Sequence, residues 1–166
     1  MNKLELSNNA DRTFPKILRA QAQQNGNTDF LVTESQRISF AEADRMTDSL
    51  AAGLQNLGLQ RGDRIALYMG NRPEMVLLAL AANKLGAIWT PINTDYKGQW
   101  LLDTLQRSQI KVLATDQQFV DRILELGDQS GIGELVVLSP AEELPENAHS
   151  YAELAEQAPL ELDYSD

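Results

Sequence analysis

The sequence predicts an α/β protein: three layers, with helices on both faces of a mostly parallel sheet. Three observations carry the prediction. The stretch Arg61–Asn93 (RGDRIALYMGNRPEMVLLALAANKLGAIWTPIN) reads as strand, turn, buried helix and strand, the unit of an α/β sheet. Short apolar runs recur after it, Lys111–Thr115 (KVLAT) and Leu135–Leu138 (LVVL), each short enough for an interior strand. Helical patterns separate these runs, and that alternation favours parallel strands with right-handed crossovers.

Length and composition are consistent with one such domain. A chain of 166 residues normally buries about two-thirds of its unfolded surface, and 43% apolar residues with only 6% aromatic ones imply a core of Leu, Ile, Val and Ala. The net charge of −10 argues against nucleic acid and anionic membrane surfaces as partners, since both require basic patches. The absence of cysteine excludes disulfides and thiolate metal sites. The opening MNKLELSNNADRT lacks the apolar stretch of a signal peptide, and no run approaches the ~20 apolar residues of a transmembrane segment. The expectation is a soluble, cytoplasmic chain, a single α/β domain over residues 1–166.

Taken in order, Thr13 is placed to cap a first helix with Pro15 in its opening turn and Ile17, Leu18 and Ala22 on one side; Asn25 and Gly26 end it. Phe30–Thr33 and Arg37–Ser39 flank a polar turn as a small hairpin. Ser39 and Glu42 form a capping box, whose cap alone is typically worth about 1 kcal/mol. Phe40, Ala43, Met46, Leu50, Leu54 and Leu57 follow at helical spacing, which puts Asp44, Arg45, Asp48 and Gln55 on a solvated face until Gly58. Ile65–Met69 then forms a strand, broken by Gly70 and Asn71. Pro73 suits the first position of the next helix, and Gly86 suits a left-handed residue closing it. Trp100, Leu101, Leu102 and Leu105 mark an amphipathic helix after the polar loop Thr94–Gly98. Asp116 is placed to cap a helix carrying Phe119, Val120 and Ile123. Gly127–Gly133 connects to the last interior strand, Pro140–Asn147 is an acidic loop, and Ser150 with Glu153 forms a second capping box for a helix stopped by Pro159.

No catalytic constellation is visible. The turn Gly70, Asn71, Arg72 lies where α/β sheets bind ligands, past the carboxyl end of a strand and before a helix. Pro73 removes a free N–H there, and Glu74 already places negative charge at the helix start, so a structural turn is the stronger reading and an anion site the weaker one. GDQSGIG (residues 127–133) follows a helix and has no lysine after its glycines, the wrong polarity for a phosphate loop. His149 reads as an exposed loop residue, Glu142, Glu143 and Glu146 as a solvated face without metal-ligand spacing, and Trp89 and Trp100 as core anchors rather than a stacking platform.

The pieces ISFAEADRMTDSLAAGLQNLG, RGDRIALYMGNRPE, KLGAIWTPIN and QIKVLATD occur together in an order and spacing that resemble the N-terminal region of the adenylate-forming ligases, the superfamily of acyl-CoA synthetases, peptide-synthetase adenylation domains and luciferases. Weaker similarity extends back through TFPKILRAQA and forward to LVVLS. GNRPE and AIWTPIN are most similar to acyl-CoA ligases of the fatty-acid and carnitine-metabolite type. One departure is local: the helix after PIN usually opens on a Thr-Pro type of start, and TDYKGQW stands here.

The resemblance implies a two-step reaction with ATP, Mg²⁺ and coenzyme A. A carboxylate substrate attacks ATP to give an acyl-adenylate and pyrophosphate, and a thiol then takes the acyl group. The Ser/Thr/Gly-rich loop with its lysine, and the later aromatic and acidic motifs that the family uses, do not occur in these 166 residues. The expectation is therefore a scaffold fragment that ends before the ATP phosphate-binding loop, inactive by itself, with an uncovered apolar surface open to self-association. No catalytic and no metal-binding residue is assigned, and no cofactor is expected on the fragment. The alternatives are a stand-alone α/β binding or interaction domain, and a small flavodoxin-like or Rossmann-like nucleotide binder. The acid activated, and whether the acceptor is coenzyme A or a carrier protein, stay open at this level.

Overall fold

The computed structural model describes residues 12–140 and 144–161. The order of elements is α1 (Phe14–Asn25), β1 (Asp29–Val32), β2 (Arg37–Ser39), α2 (Phe40–Asn56), β3 (Arg64–Tyr68), α3 (Pro73–Lys84), β4 (Ile88–Pro91), α4 (Gly98–Ser108), β5 (Val112–Asp116), α5 (Val120–Leu124), β6 (Glu134–Leu138), β7 (Ala148–Ser150) and α6 (Tyr151–Ala155). β1 and β2 form the small antiparallel hairpin. The other five strands form one sheet in the order β4-β3-β5-β6-β7, parallel at every pairing.

Side chains of the inner strands alternate between two cores, as the two-residue period of a strand requires. Ile65, Leu67, Val112, Ala114, Val136 and Leu138 face one way, into a core completed by α1, α2, α3 and α6. Ala66, Tyr68, Leu113, Leu135 and Val137 face the other way, against Leu101 and Leu105 of α4 and Val120 and Ile123 of α5. The three-layer α/β arrangement is thus present.

Local signals set most boundaries. Ser39 accepts from the Glu42 N–H while the Glu42 carboxylate accepts from the Ser39 N–H, and Ser150 and Glu153 repeat the arrangement at α6. Pro73 opens α3, and Gly86 follows it at φ 68°, a left-handed conformation in which a side chain would be strained. Thr13 precedes α1 but makes no side-chain cap bond, and α4 starts at Gly98 with Lys97 before it, likewise uncapped.

Several expectations are corrected by packing. Asp44 and Asp48 are buried rather than solvated, because α1 and α3 lie over the polar side of α2; Arg45 and Gln55 stay exposed. Lys84, the basic residue of α3, is buried as well and reaches both carboxylates. Trp100 is 73% exposed and Trp89, on the edge strand β4, is 38% exposed, so neither anchors the core. His149 lies on β7, paired with Val136, and its Nε2 is 2.9 Å from the Glu134 carboxylate rather than in an open loop. Asp116 makes no cap bond to the short 3-10 turn that follows it. Glu142 and Glu143 fall outside the described residues, and Glu146 is exposed. Among the described residues, no helix is long and apolar enough to cross a membrane.

Candidate functional site at the carboxyl ends of β3 and β5

The winding of the sheet reverses at β3. The chain leaves β3 through α3 to reach β4 on one side, then crosses through α4 on the opposite face to reach β5 on the other side. The connections leaving β3 and β5 therefore diverge to opposite faces, and the crevice between them is where open α/β sheets place ligands. Gly70, Asn71 and Arg72 stand at this crevice, so the fold brings all three candidate residues to the position expected for a site.

The crevice is occupied by the chain's own charges. The Asp116 carboxylate, at the end of β5, accepts the Gly70 N–H at 3.0 Å and a hydrogen bond from Arg72 Nη1. Arg72 also grips Glu74 with two donors, Nε at 2.8 Å and Nη2 at 3.2 Å. Its guanidinium is raised above its ordinary value, chiefly by the Glu74 hydrogen bond, with Asp116 adding to the effect against burial. Burial pushes the Glu74 carboxyl up, but the Arg72 hydrogen bond and charge leave it below its usual range. Nearby, the buried hydroxyl of Tyr151 has no hydrogen-bond partner among the described residues, and burial raises its pKa further above the phenol range. An anion entering this crevice would meet a donor set already matched to two carboxylates. The donor set does not fit ATP with Mg²⁺, and among the described residues no group of three His, Asp or Glu could hold a metal ion.

Beside this cluster, an open cleft of about 340 Å³ is lined by Met69, Gly70, Asn71, Met75, Pro91, Ile92, Asn93 and Thr94. Its far wall, the loop after β4, is fixed from below. The Tyr68 hydroxyl donates to the Tyr96 carbonyl at 2.5 Å, and Arg122 Nη1 donates to the Thr94 carbonyl at 2.9 Å while its guanidinium lies over the Phe119 ring. Asp116 and Arg122 were missed by sequence reasoning. The one signal for Asp116 is a carboxylate closing a buried strand, and its place one residue past the Tyr68–Thr115 pairing, near the glycine turn, is visible only once the strands are paired.

A second feature is an apolar groove of about 330 Å³ between α1, the hairpin and α3, lined by Phe14, Ile17, Phe30, Met75, Leu80 and Trp89 among others. It continues to the free edge of β4, where Ile88 is half exposed.

A family model described as AMP-binding enzyme matches residues 18–163. The chain is 35% identical over 107 residues to a 4-coumarate–CoA ligase of Humulus lupulus, covering 64% of this chain and 20% of that protein. It is 31% identical over 111 residues to a crotonobetaine/carnitine–CoA ligase of Salmonella paratyphi A, covering 66% of this chain and 21% of that one. Coronafacic acid ligase from Pectobacterium brasiliense superposes with a TM-score of 0.80 at 23% identity, over 92% of this chain and 30% of that chain, a likeness of fold. The chain thus spans about a fifth of the length of the curated relatives it matches.

Proposed function

This chain belongs to the AMP-binding enzyme family, and we propose that it is the N-terminal scaffold of an ATP-dependent acid–thiol ligase. In the whole protein a carboxylate attacks the α-phosphorus of ATP, pyrophosphate leaves, and the thiol of coenzyme A then displaces AMP from the acyl-adenylate. The match of the family model to nearly the whole described chain carries this reading. For the acid we propose a fatty or carnitine-related acyl group, on the similarity to the crotonobetaine/carnitine–CoA ligase. The setting proposed for the reaction is the cytoplasm.

The role proposed for these residues is to hold the sheet and its loops, with no step of the chemistry assigned to them. The Gly70–Asn71–Arg72 turn is a structural turn in this reading, because Asp116 and Glu74 already engage its donors. Phosphoryl chemistry needs a phosphate cradle and charge aimed at the transferring group, which this crevice does not offer. ATP, Mg²⁺ and coenzyme A belong to the whole enzyme, and the isolated 166 residues are proposed to be inactive and to self-associate through the apolar groove.

The test has two arms. The complete ligase is expected to catalyse acid-dependent exchange of pyrophosphate into ATP and to form an acyl-CoA detectable by mass spectrometry, with the preferred acid read from a panel of fatty, carnitine-related and aromatic acids. The 166-residue chain is expected to do neither. Micromolar binding of ATP to that chain by isothermal titration would overturn the scaffold reading.

A further inference from the structure

The exposed apolar side chains gather on one side of the molecule. Phe14, Val76 and Trp89 line the groove between α1, the hairpin and α3. Val32 lies on the hairpin that supplies Phe30, and Ile88 precedes Trp89 on β4. Trp100 on α4 and Leu124 on α5 stand on the opposite face of the sheet.

The groove is also a gap in the charge pattern. Charged residues make up 23% of the chain and leave it at −10, yet none of the twelve residues lining the groove carries a charge. Its polar members, Gln21 and Asn83, are neutral amides. Two chains this acidic repel each other wherever carboxylates meet, and here they approach without that cost. Phe14, the first residue of α1 and 65% exposed, stands on the groove wall. A two-fold axis beside it seats each Phe14 against the groove of the other copy, the self-complementary contact of an isologous dimer. Trp100 is a poorer fit to the same groove. Asp103 and Arg107 lie beside it, and both would lose water in an uncharged cleft.

The sheet edges offer no competing route. On β7, Leu135 N–H donates to the Asn147 carbonyl, so Ala148 and Ser150 turn their N–H groups outward. Both are already used, Ala148 by the Pro145 carbonyl at 2.9 Å and Ser150 by the Glu153 carboxylate at 3.0 Å. On β4, Ile88 and Ile92 donate to β3 and its approach, at Asp63 and Leu67, so Trp89 and Pro91 face outward, and Pro91 has no N–H. Trp89 is left as the one strand N–H free at either edge among the described residues. Edges so short of donors resist the strand pairing that would build open-ended aggregates.

We infer that a second copy of this chain covers the groove, groove against groove about a two-fold axis, and that association stops at the dimer. The inference rests on the self-association proposed above and adds its partner, its symmetry and its limit. Because the contact is uncharged and the chains repel, salt is expected to tighten the dimer, whereas an ion-paired interface would loosen.

Sedimentation velocity of the 166-residue chain over a concentration series, at low and high sodium chloride, tests this. The mass is expected to rise to twice that of the chain and no further, and the dimer to form at lower concentration in high salt. Phe14→Glu places an acidic residue at the start of α1, where the helix favours it, so the fold is expected to be kept while dimerisation weakens at least about 10-fold. Trp100→Glu, on the opposite face, is expected to leave dimerisation unchanged. Species larger than a dimer, or a dimer that salt loosens, would overturn the inference while leaving self-association in place. Loss of association in Trp100→Glu but not in Phe14→Glu would show a head-to-tail contact and overturn the two-fold arrangement. A chain that stays monomeric in every condition removes the self-association reading itself, and this inference with it.

Discussion

The amine of Lys84 lies 2.6 Å from an oxygen of the Asp48 carboxylate, and its side chain has no solvent exposure. The same amine reaches Asp44 Oδ1 at 2.8 Å, and Arg19 from α1 pairs with both aspartates at 2.7 Å from the opposite side. Two cations and two carboxylates thus tie α1, α2 and α3 together beneath the apolar groove. Removing a charge from such a cluster strands another in a low dielectric, so its loss costs more than its presence contributes.

Lys84→Met is accordingly expected to lower unfolding stability by about 3 kcal/mol, read from urea denaturation. Adding Asp44→Asn and Asp48→Asn to that variant is expected to recover part of the loss, because no buried carboxylate then remains unpaired. A Lys84→Met variant as stable as the parent chain would show that Arg19 alone satisfies both aspartates.

Asp116→Ala strips the Gly70 N–H and one arm of Arg72 of their acceptor, at an expected cost of about 2 kcal/mol. The variant is also expected to acquire weak inorganic phosphate binding at the Gly70 amide, followed by chemical shift, while the parent chain shows none. Equal phosphate shifts in both proteins would mean that the turn is an anion site despite Asp116.

Acid is expected to weaken the fold through specific carboxylates. The backbone and side-chain hydrogen bonds of Ser39 hold Glu42 below its usual range, and the Lys111 side chain and the Gln60 N–H do the same for Asp63. Glu74 is also lowered, by Arg72 against the opposing effect of burial. Groups with depressed folded values contribute stability that is fully present above their unfolded values and is lost as pH falls through the folded ones. The urea midpoint is therefore expected to fall on acidification below about pH 4. Ser39→Ala, which removes the hydroxyl and keeps the backbone N–H, should lessen the Glu42 share of that slope without abolishing it.

Gly53 sits inside α2, where alanine would normally favour the helix by about 1 kcal/mol. Here a Cβ would lie 2.8 Å from Leu154 Cα, Cβ and Cγ of α6. Gly53→Ala is therefore expected to be net destabilising by about 1–2 kcal/mol in thermal or urea unfolding, since the backbone of α6 has to move. A neutral or stabilised variant would show that α6 shifts freely.

The groove exposes Phe14, Val76 and Trp89, and Ile88 precedes Trp89 on the β4 edge. The isolated chain is expected to gain mass with concentration in sedimentation equilibrium, and Val76→Lys with Trp89→Lys to suppress the gain. A parent chain that remains monomeric at high concentration counts against self-association.

Much of the fold is legible in the chain because its signals are local. Two capping boxes, the Pro73 start, the Gly86 stop and the apolar strand runs each depend on residues within a few positions of one another, so alternation of helix and strand follows from sequence alone. The family could be read from the same stretch, Arg61–Asn93 with its flanking segments. What only tertiary structure decided was what covers what. Periodicity placed Asp44 and Asp48 on the polar side of α2, but it held no information that α1 and α3 would bury that side and supply Arg19 and Lys84. It gave Trp100 an apolar label, while the packing of α4 through Leu101 and Leu105 turned the indole outward. The strand order β4-β3-β5 fixed the crevice, and with it the meeting of Asp116 with Gly70 and Arg72 across more than forty residues. Such pairs depend on the balance of burial and charge over the whole molecule, and no local pattern carries them.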